Sequence, residues 1–281
     1  VRELARALLL GAALAAAPAP AEPGAPPPSG PAAVSSFDHQ HLAWQRLLER
    51  AQRDGLVDYE ALRDRPEELD AYLLAIARVD KGDYTAWTPE QRLAFWLNAV
   101  NAFTLKAVAD AYPFKRPWWK PAAYKYPANS VRQQPDFDGR LFSAAGEELT
   151  LAEARRLAVQ LAPDPRLPLA LTCPCLGGPP LPAQAFTPDR LDAQLDAAAR
   201  AFVRDPRRVS IVDERAQVIR LSQALRRPEI GEPLSLARRY LPPDQAQLLS
   251  DRGWTIEWQP LDWTLDELGT REAGKGAPKA F

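Results

Sequence analysis

The residues best suited to chemistry are two cysteines, Cys173 and Cys175, in the run Thr172-Cys173-Pro174-Cys175-Leu176-Gly177-Gly178, and two histidines, His39 and His41. A cysteine nucleophile needs a lowered pKa or an adjacent base. Cys173 precedes a glycine-rich turn, a place for an exposed thiol, and His39 is the candidate base. Arg155 or Arg156 would stabilise a thiolate by charge. The alternative is an unreactive Cys173 packed on the core, with His39 capping or hydrogen bonding. Redox chemistry is a second possibility, although a C-x-C bridge meets the narrow geometry of a disulfide with difficulty and would be readily reduced. Zinc would use both thiolates and a histidine, but no further pair of ligands stands at ligand spacing. There is no nucleophile elbow, and Gly177-Gly178 lacks the Lys-Ser and helix context of a phosphate loop. No metal and no cofactor are expected.

These groups need a scaffold, and residues 88–112 supply its centre. Thr88 caps a helix, Pro89 suits its first position and Gln91 completes a capping box. Residues 93–108 are apolar on nearly every face, which predicts a helix buried on all sides. Asn98 and Asn101 interrupt that run and share a face. A buried amide without partners costs roughly 1–3 kcal/mol, so the pair must either fasten a loop to the helix or line a polar pocket.

The chain has 281 residues, 46% of them hydrophobic, and a net charge of −1. That is enough for one sizeable core, and no basic field draws it to nucleic acid. Residues 1–21 have a basic start, a short apolar run and a small-residue exit. They are expected to be a secretory leader cleaved near Ala21, placing the mature protein in the periplasm or outside the cell. Residues 22–36, rich in Pro, Ala, Gly and Ser, are expected to be a disordered linker. No later run is long and charge-free enough for a membrane helix. Residues 113–139 interleave prolines, basic residues and aromatics, including Trp118 and Trp119. They are expected to form a long loop whose tryptophans either bind a glycan or other ligand or pack down onto the core.

Elsewhere, helices are predicted from Asp38 to about Arg53, from Pro66 to about Arg78, after the Thr150–Glu153 capping box, over 191–203, and twice within 234–249. Residues 80–87 read as a linker. Strands are predicted at 140–143, 167–171, 209–212, 217–221 and 254–258. Residues 266–281 read as a loose tail. The fold class is α+β: one helix-rich domain over 37–265 around a buried central helix, with a small mixed or antiparallel sheet from the C-terminal half.

The series Phe37-Asp38-His39, Val57-Asp58-Tyr59, Ala94-Phe95-Trp96-Leu97-Asn98-Ala99-Val100-Asn101-Ala102-Phe103-Thr104, Asp164-Pro165-Arg166, Pro179-Pro180-Leu181 and Asp262-Trp263-Thr264-Leu265 resembles the DUF547 family in order. The resemblance implies a fold more than a reaction. It also implies a Cys…Ser-Cys-Pro-Pro-Leu loop and a Glu-His pair on the preceding helix. Here the first cysteine corresponds to Cys173 and the second to Gly178, and the pair falls at Arg155 and Arg156. Two functions follow as expectations. One is a non-catalytic binding or interaction domain for a small molecule, glycan or protein; the other is a thiol-dependent hydrolase, transferase or oxidoreductase using Cys173.

Overall fold

A computed structural model describes residues 37–115, 118–119, 125–250 and 253–269. The expected leader and linker, and the tail beyond residue 269, lie outside them. The chain opens with helix α1 (Leu42–Ala51), a two-residue hairpin of β1 (Gln52–Arg53) and β2 (Leu56–Val57), and helices α2 (Tyr59–Asp64), α3 (Glu67–Ala77) and α4 (Lys81–Ala86). Then come the long helix α5 (Pro89–Ala109), the hairpin β3 (Leu141–Ala144) and β4 (Glu147–Thr150), α6 (Leu151–Gln160), the short α7 (Leu167–Ala170) and α8 (Leu191–Val203). The C-terminal part contains β5 (Val209–Asp213), β6 (Val218–Ser222), α9 (Pro233–Tyr240), α10 (Pro243–Leu248) and β7 (Thr255–Gln259).

The capping box of α5 forms. Thr88 Oγ1 accepts from the Gln91 amide at 3.2 Å, and Gln91 Oε1 accepts from the Thr88 amide at 2.9 Å. From Leu93 to Ala109 every side chain is buried except Lys106, whose ammonium escapes to pair with Asp70 at 2.8 Å and Asp110 at 2.9 Å. Over this span the helix has no solvent face: α2, α3 and α6 pack against it, and α1 joins the same apolar cluster.

The small sheet has the order β5-β6-β7. The first pair is antiparallel with a bulge between Ile211 and Asp213; the second is parallel. It carries a second apolar cluster, with Phe202, Ile219, Leu221 and Tyr240 at its heart. Helix α8 joins both cores: Leu191 and Leu195 pack in the first, and Ala199, Phe202 and Val203 in the second. This is the expected α+β architecture with a mixed sheet.

Three local features differ from expectation. Residues 167–171 are not a strand: Leu167–Ala170 is a helical turn, with Pro168 in its first turn where no amide hydrogen is needed. All four residues are buried, so alternation could not distinguish the two forms. The linker at 80–87 contains α4, capped by Asp80 Oδ1 on the Asp83 amide at 2.8 Å. The tail expected to be loose from residue 266 is held at its start. The Val57 amide donates to the Asp266 carbonyl at 2.8 Å, and the Leu268 amide donates to the Val57 carbonyl at 3.0 Å.

Candidate functional site

A cleft of about 770 Å³ opens between the two cores. One wall is the outward face of α6, where Ala152, Arg155, Arg156 and Val159 recur at helical spacing. The Thr150–Glu153 capping box fixes the start of that helix. The other walls are residues 131–139, the loop at Cys173, Pro174, Gly178 and Pro179, residues Arg227 and Glu229, and Trp263.

Arg155 reaches inward. Its Nη2 donates to Thr104 Oγ1 at 2.8 Å, and that hydroxyl donates in turn to the Val100 carbonyl at 2.8 Å. Arg155 Nε is shielded from solvent and has no hydrogen-bond partner among the described residues. Burial lowers the pKa of its guanidinium, to about 10; Asp138 opposes the shift, and Arg227 and Arg132 add to it. The group still carries its charge at neutral pH. Around it, Arg132 approaches Asp138 at 4.0 Å and lies over the Trp263 ring at 4.1 Å, while Arg227 approaches Glu229 at 3.8 Å. Among the described residues, neither Arg155 nor Arg156 forms an ion pair. Four arginines face three carboxylates in the lining, Asp136, Asp138 and Glu229, which leaves an excess of positive charge.

The cysteine loop is tied on several sides. Asn101 Nδ2 donates to the Ala170 carbonyl at 3.0 Å, and its Oδ1 accepts from the Thr172 amide at 2.8 Å. The Cys173 amide donates to the Pro179 carbonyl at 2.9 Å, and the Leu176 and Gly177 amides donate to Thr264 and Asp262 at 2.9 and 3.0 Å. Cys173 and Cys175 are joined as a disulfide, Cα–Cα 5.3 Å. A Cβ at Gly178 would lie 2.8 Å from the Cys173 sulfur and 2.9 Å from that of Cys175, and one at Gly177 would lie 2.4 Å from the Asp262 amide nitrogen. Both positions accept only glycine without movement nearby.

Of the residues singled out from sequence, Cys173, Arg155 and Arg156 meet at this cleft. The others do not. His39 packs edge-on against Trp87 at 4.6 Å, and burial lowers its pKa. His41 is buried with its Nδ1 2.7 Å from the Tyr72 hydroxyl, and desolvation pushes it down to about 4. Asn98 clamps the backbone of Phe186 through bonds of 2.8 and 2.9 Å. Trp118 and Trp119 stand 80% and 63% exposed, in edge contact with each other. Arg132, Arg227 and Trp263 were not among the sequence candidates. The two arginines lie in stretches without periodicity, where no pattern sets one arginine apart from another.

A second hollow, of about 600 Å³, lies between the β1–β2 turn, residues 180–186 and α8. Its arginines, Arg207 and Arg208, are both paired with Asp205, so it lacks the unmatched charge of the first. Among the described residues, no group of three His, Cys, Asp or Glu side chains is placed to hold a metal, and no helix is long and apolar enough to cross a membrane.

No curated protein and no solved structure matches the chain. Residues 84–203 match the model of the family described as "Protein of unknown function, DUF547". That span holds α5, α6, the cysteine loop and α8, and so includes Arg155, Arg156 and Cys173 but not Arg227 or Trp263. Over this span the chain is similar to the DUF547 family.

Proposed function

We propose that this is a non-catalytic binding domain that takes an anionic small molecule in the arginine-lined cleft, and that it works in the periplasm or outside the cell after removal of the leader. The observation that carries the reading is Arg155: a charged guanidinium whose one hydrogen-bond partner among the described residues is a hydroxyl, at the wall of an open cleft. A buried cation without an ion-paired partner is unfavourable; Asp138 offsets the burial of Arg155 only in part, and an anionic ligand would supply the rest. The composition of residues 1–21 supports the compartment.

The second reading, a thiol-dependent enzyme, draws on Cys173 lining the same cleft. Acyl transfer by that residue requires a free thiolate and a base. Against it stand the bond to Cys175 and the positions of the chain's two histidines away from the cleft lining.

Calorimetric titration with inorganic phosphate, a dicarboxylate and an acidic oligosaccharide tests the proposal. At least one should bind, and Arg155→Met should weaken it by about tenfold or more, since a hydrogen bond to a charged group contributes roughly 1.5–3 kcal/mol. Binding that is indifferent to Arg155→Met and Arg156→Ala would refute the anion site. Turnover of a thioester that disappears in Cys173→Ala would favour the enzyme.

A further inference from the structure

The two ends of the disulfide are not equivalent. Cys173 is partly exposed and lines the cleft. Cys175 is 1% exposed and does not line it. A nucleophile entering from solvent therefore meets Cys173. Gly178 also lines the cleft, and a side chain there would crowd both sulfurs at under 3 Å. The glycine keeps the approach open.

Thiol–disulfide exchange needs a thiolate as attacking group. Positive charge nearby favours the thiolate over the thiol, and Arg155 and Arg156 bring such charge to the same cleft without an ion-paired carboxylate among the described residues. Positive potential also concentrates ligands of opposite sign. The site thus combines an accessible sulfur, a leaving sulfur held behind it and a field that selects anions.

We propose that the cleft is a thiol–disulfide exchange site for anionic thiols, with Cys173 as the attacked sulfur and Cys175 as the leaving one. The proposal rests on the anion-binding part of the reading above, replaces its non-catalytic part with exchange at the disulfide, and names the chemical class of the ligand. In the first step a ligand thiolate bonds to the Cys173 sulfur, the Cys173–Cys175 bond breaks, and the electron pair leaves on Cys175. In the second step another ligand thiolate attacks the ligand sulfur of that mixed disulfide. The ligand disulfide forms, and Cys173 leaves as a thiolate. Two electrons pass from two ligand thiolates to the protein, whose sulfurs take protons from water. The reverse sequence reduces a ligand disulfide. Cys175 is buried directly behind Cys173 in the same loop, so its sulfur recloses the mixed disulfide in the native protein, and the mixed disulfide persists when Cys175 is replaced.

The test compares glutathione, an anionic thiol, with cysteamine, a cationic one, at equal thiolate concentration on the full chain. Reduced protein is trapped with iodoacetamide and counted by mass spectrometry. Glutathione should reduce the disulfide about tenfold faster, and Arg155→Met with Arg156→Ala should erase most of that preference. Given oxidised glutathione, the Cys175→Ser variant should accumulate a mixed disulfide at Cys173: the Cys173 thiolate attacks one sulfur of the ligand disulfide, and a glutathione thiolate leaves. Equal rates for the two thiols in the unaltered protein, or reduction only at denaturant concentrations that unfold it, would overturn the proposal. Titration with S-methylglutathione, which has the charge without the thiol, separates the two levels. Binding without exchange sinks the exchange step alone; no binding and no preference sink the anion site with it.

Discussion

Arg166 and Arg155 are both drawn into the body of the protein, and they end in opposite circumstances. Arg166 is ringed by Asp164 at 2.6 Å, Asp192 at 2.7 Å and Asp196 at 2.6 Å. Asp196 also accepts from the Tyr240 hydroxyl. The carboxylates hold the Arg166 guanidinium above its ordinary pKa, whereas Arg155 is pushed below it. The same division runs through other buried polar groups. Asn98 and Asn101 are each matched to backbone on both sides of the amide. Asp266, 3% exposed, accepts from Tyr59 at 2.8 Å through one oxygen, and the other, Oδ2, has no hydrogen-bond partner among the described residues. Closed groups assemble the molecule, and open ones remain available to a ligand or a proton.

The sharpest way to break this division is Arg166→Ala. Asp192 is 85% exposed and stays solvated. Removing the buried guanidinium leaves the partly buried Asp164 and Asp196 without it, so the variant should lose about 3 kcal/mol of stability by denaturant titration. A loss within about 0.5 kcal/mol, the ordinary range for surface changes, would erase the distinction.

A second test uses pH. Burial raises the Asp266 pKa from 3.8 to about 7, so the folded state holds this proton more tightly than the unfolded state. Its contribution is complete below about 4 and is lost as pH rises through 7. His41 runs the other way. Burial depresses it from 6.5 to about 4, and its contribution is present above 6.5 and lost as pH falls through 4. Between those limits the two slopes oppose each other. Asp266→Asn removes one of them, and stability of the variant should then climb by roughly 1.4 kcal/mol per pH unit between about pH 4.5 and 6, about 2 kcal/mol in all. A variant as flat as the parent in urea titrations at the two pH values would mean that the Asp266 carboxyl is not perturbed.

The smallest expected effect is on the open arginine. Arg155→Met replaces an incompletely partnered charge with an apolar side chain of similar length, so its melting temperature should stay within a few degrees of the parent's or rise. A collapse as large as that of Arg166→Ala would place Arg155 among the closed groups.

Much of the scaffold was legible because it follows rules local in sequence. Thr88 with Gln91 and Thr150 with Glu153 announced α5 and α6 through residues three apart, and the apolar run from Leu93 announced burial on every side. Where periodicity had nothing to act on, the reading failed. Residues 167–170 are all apolar and too few to distinguish a turn of helix from a strand, and Lys81–Ala86 buries no side chain, so α4 left no stripe to see. The site was half legible for the same reason. Cys173, Arg155 and Arg156 were marked by residue type and by the family motifs. Arg132 and Arg227 reach the cleft only because distant stretches of chain fold beside one another. Residue type also pointed to His39, which the fold directs into an aromatic cluster with Phe37 and Trp87.

Helix α8 has one end seated among the side chains that surround α5 and the other among those under the sheet. It pins the two clusters to one rod whose backbone bonds resist shear. Arg155 on α6 and Arg227 beyond the sheet both line the hollow, so its walls are tied through this one rod rather than left to slide past each other.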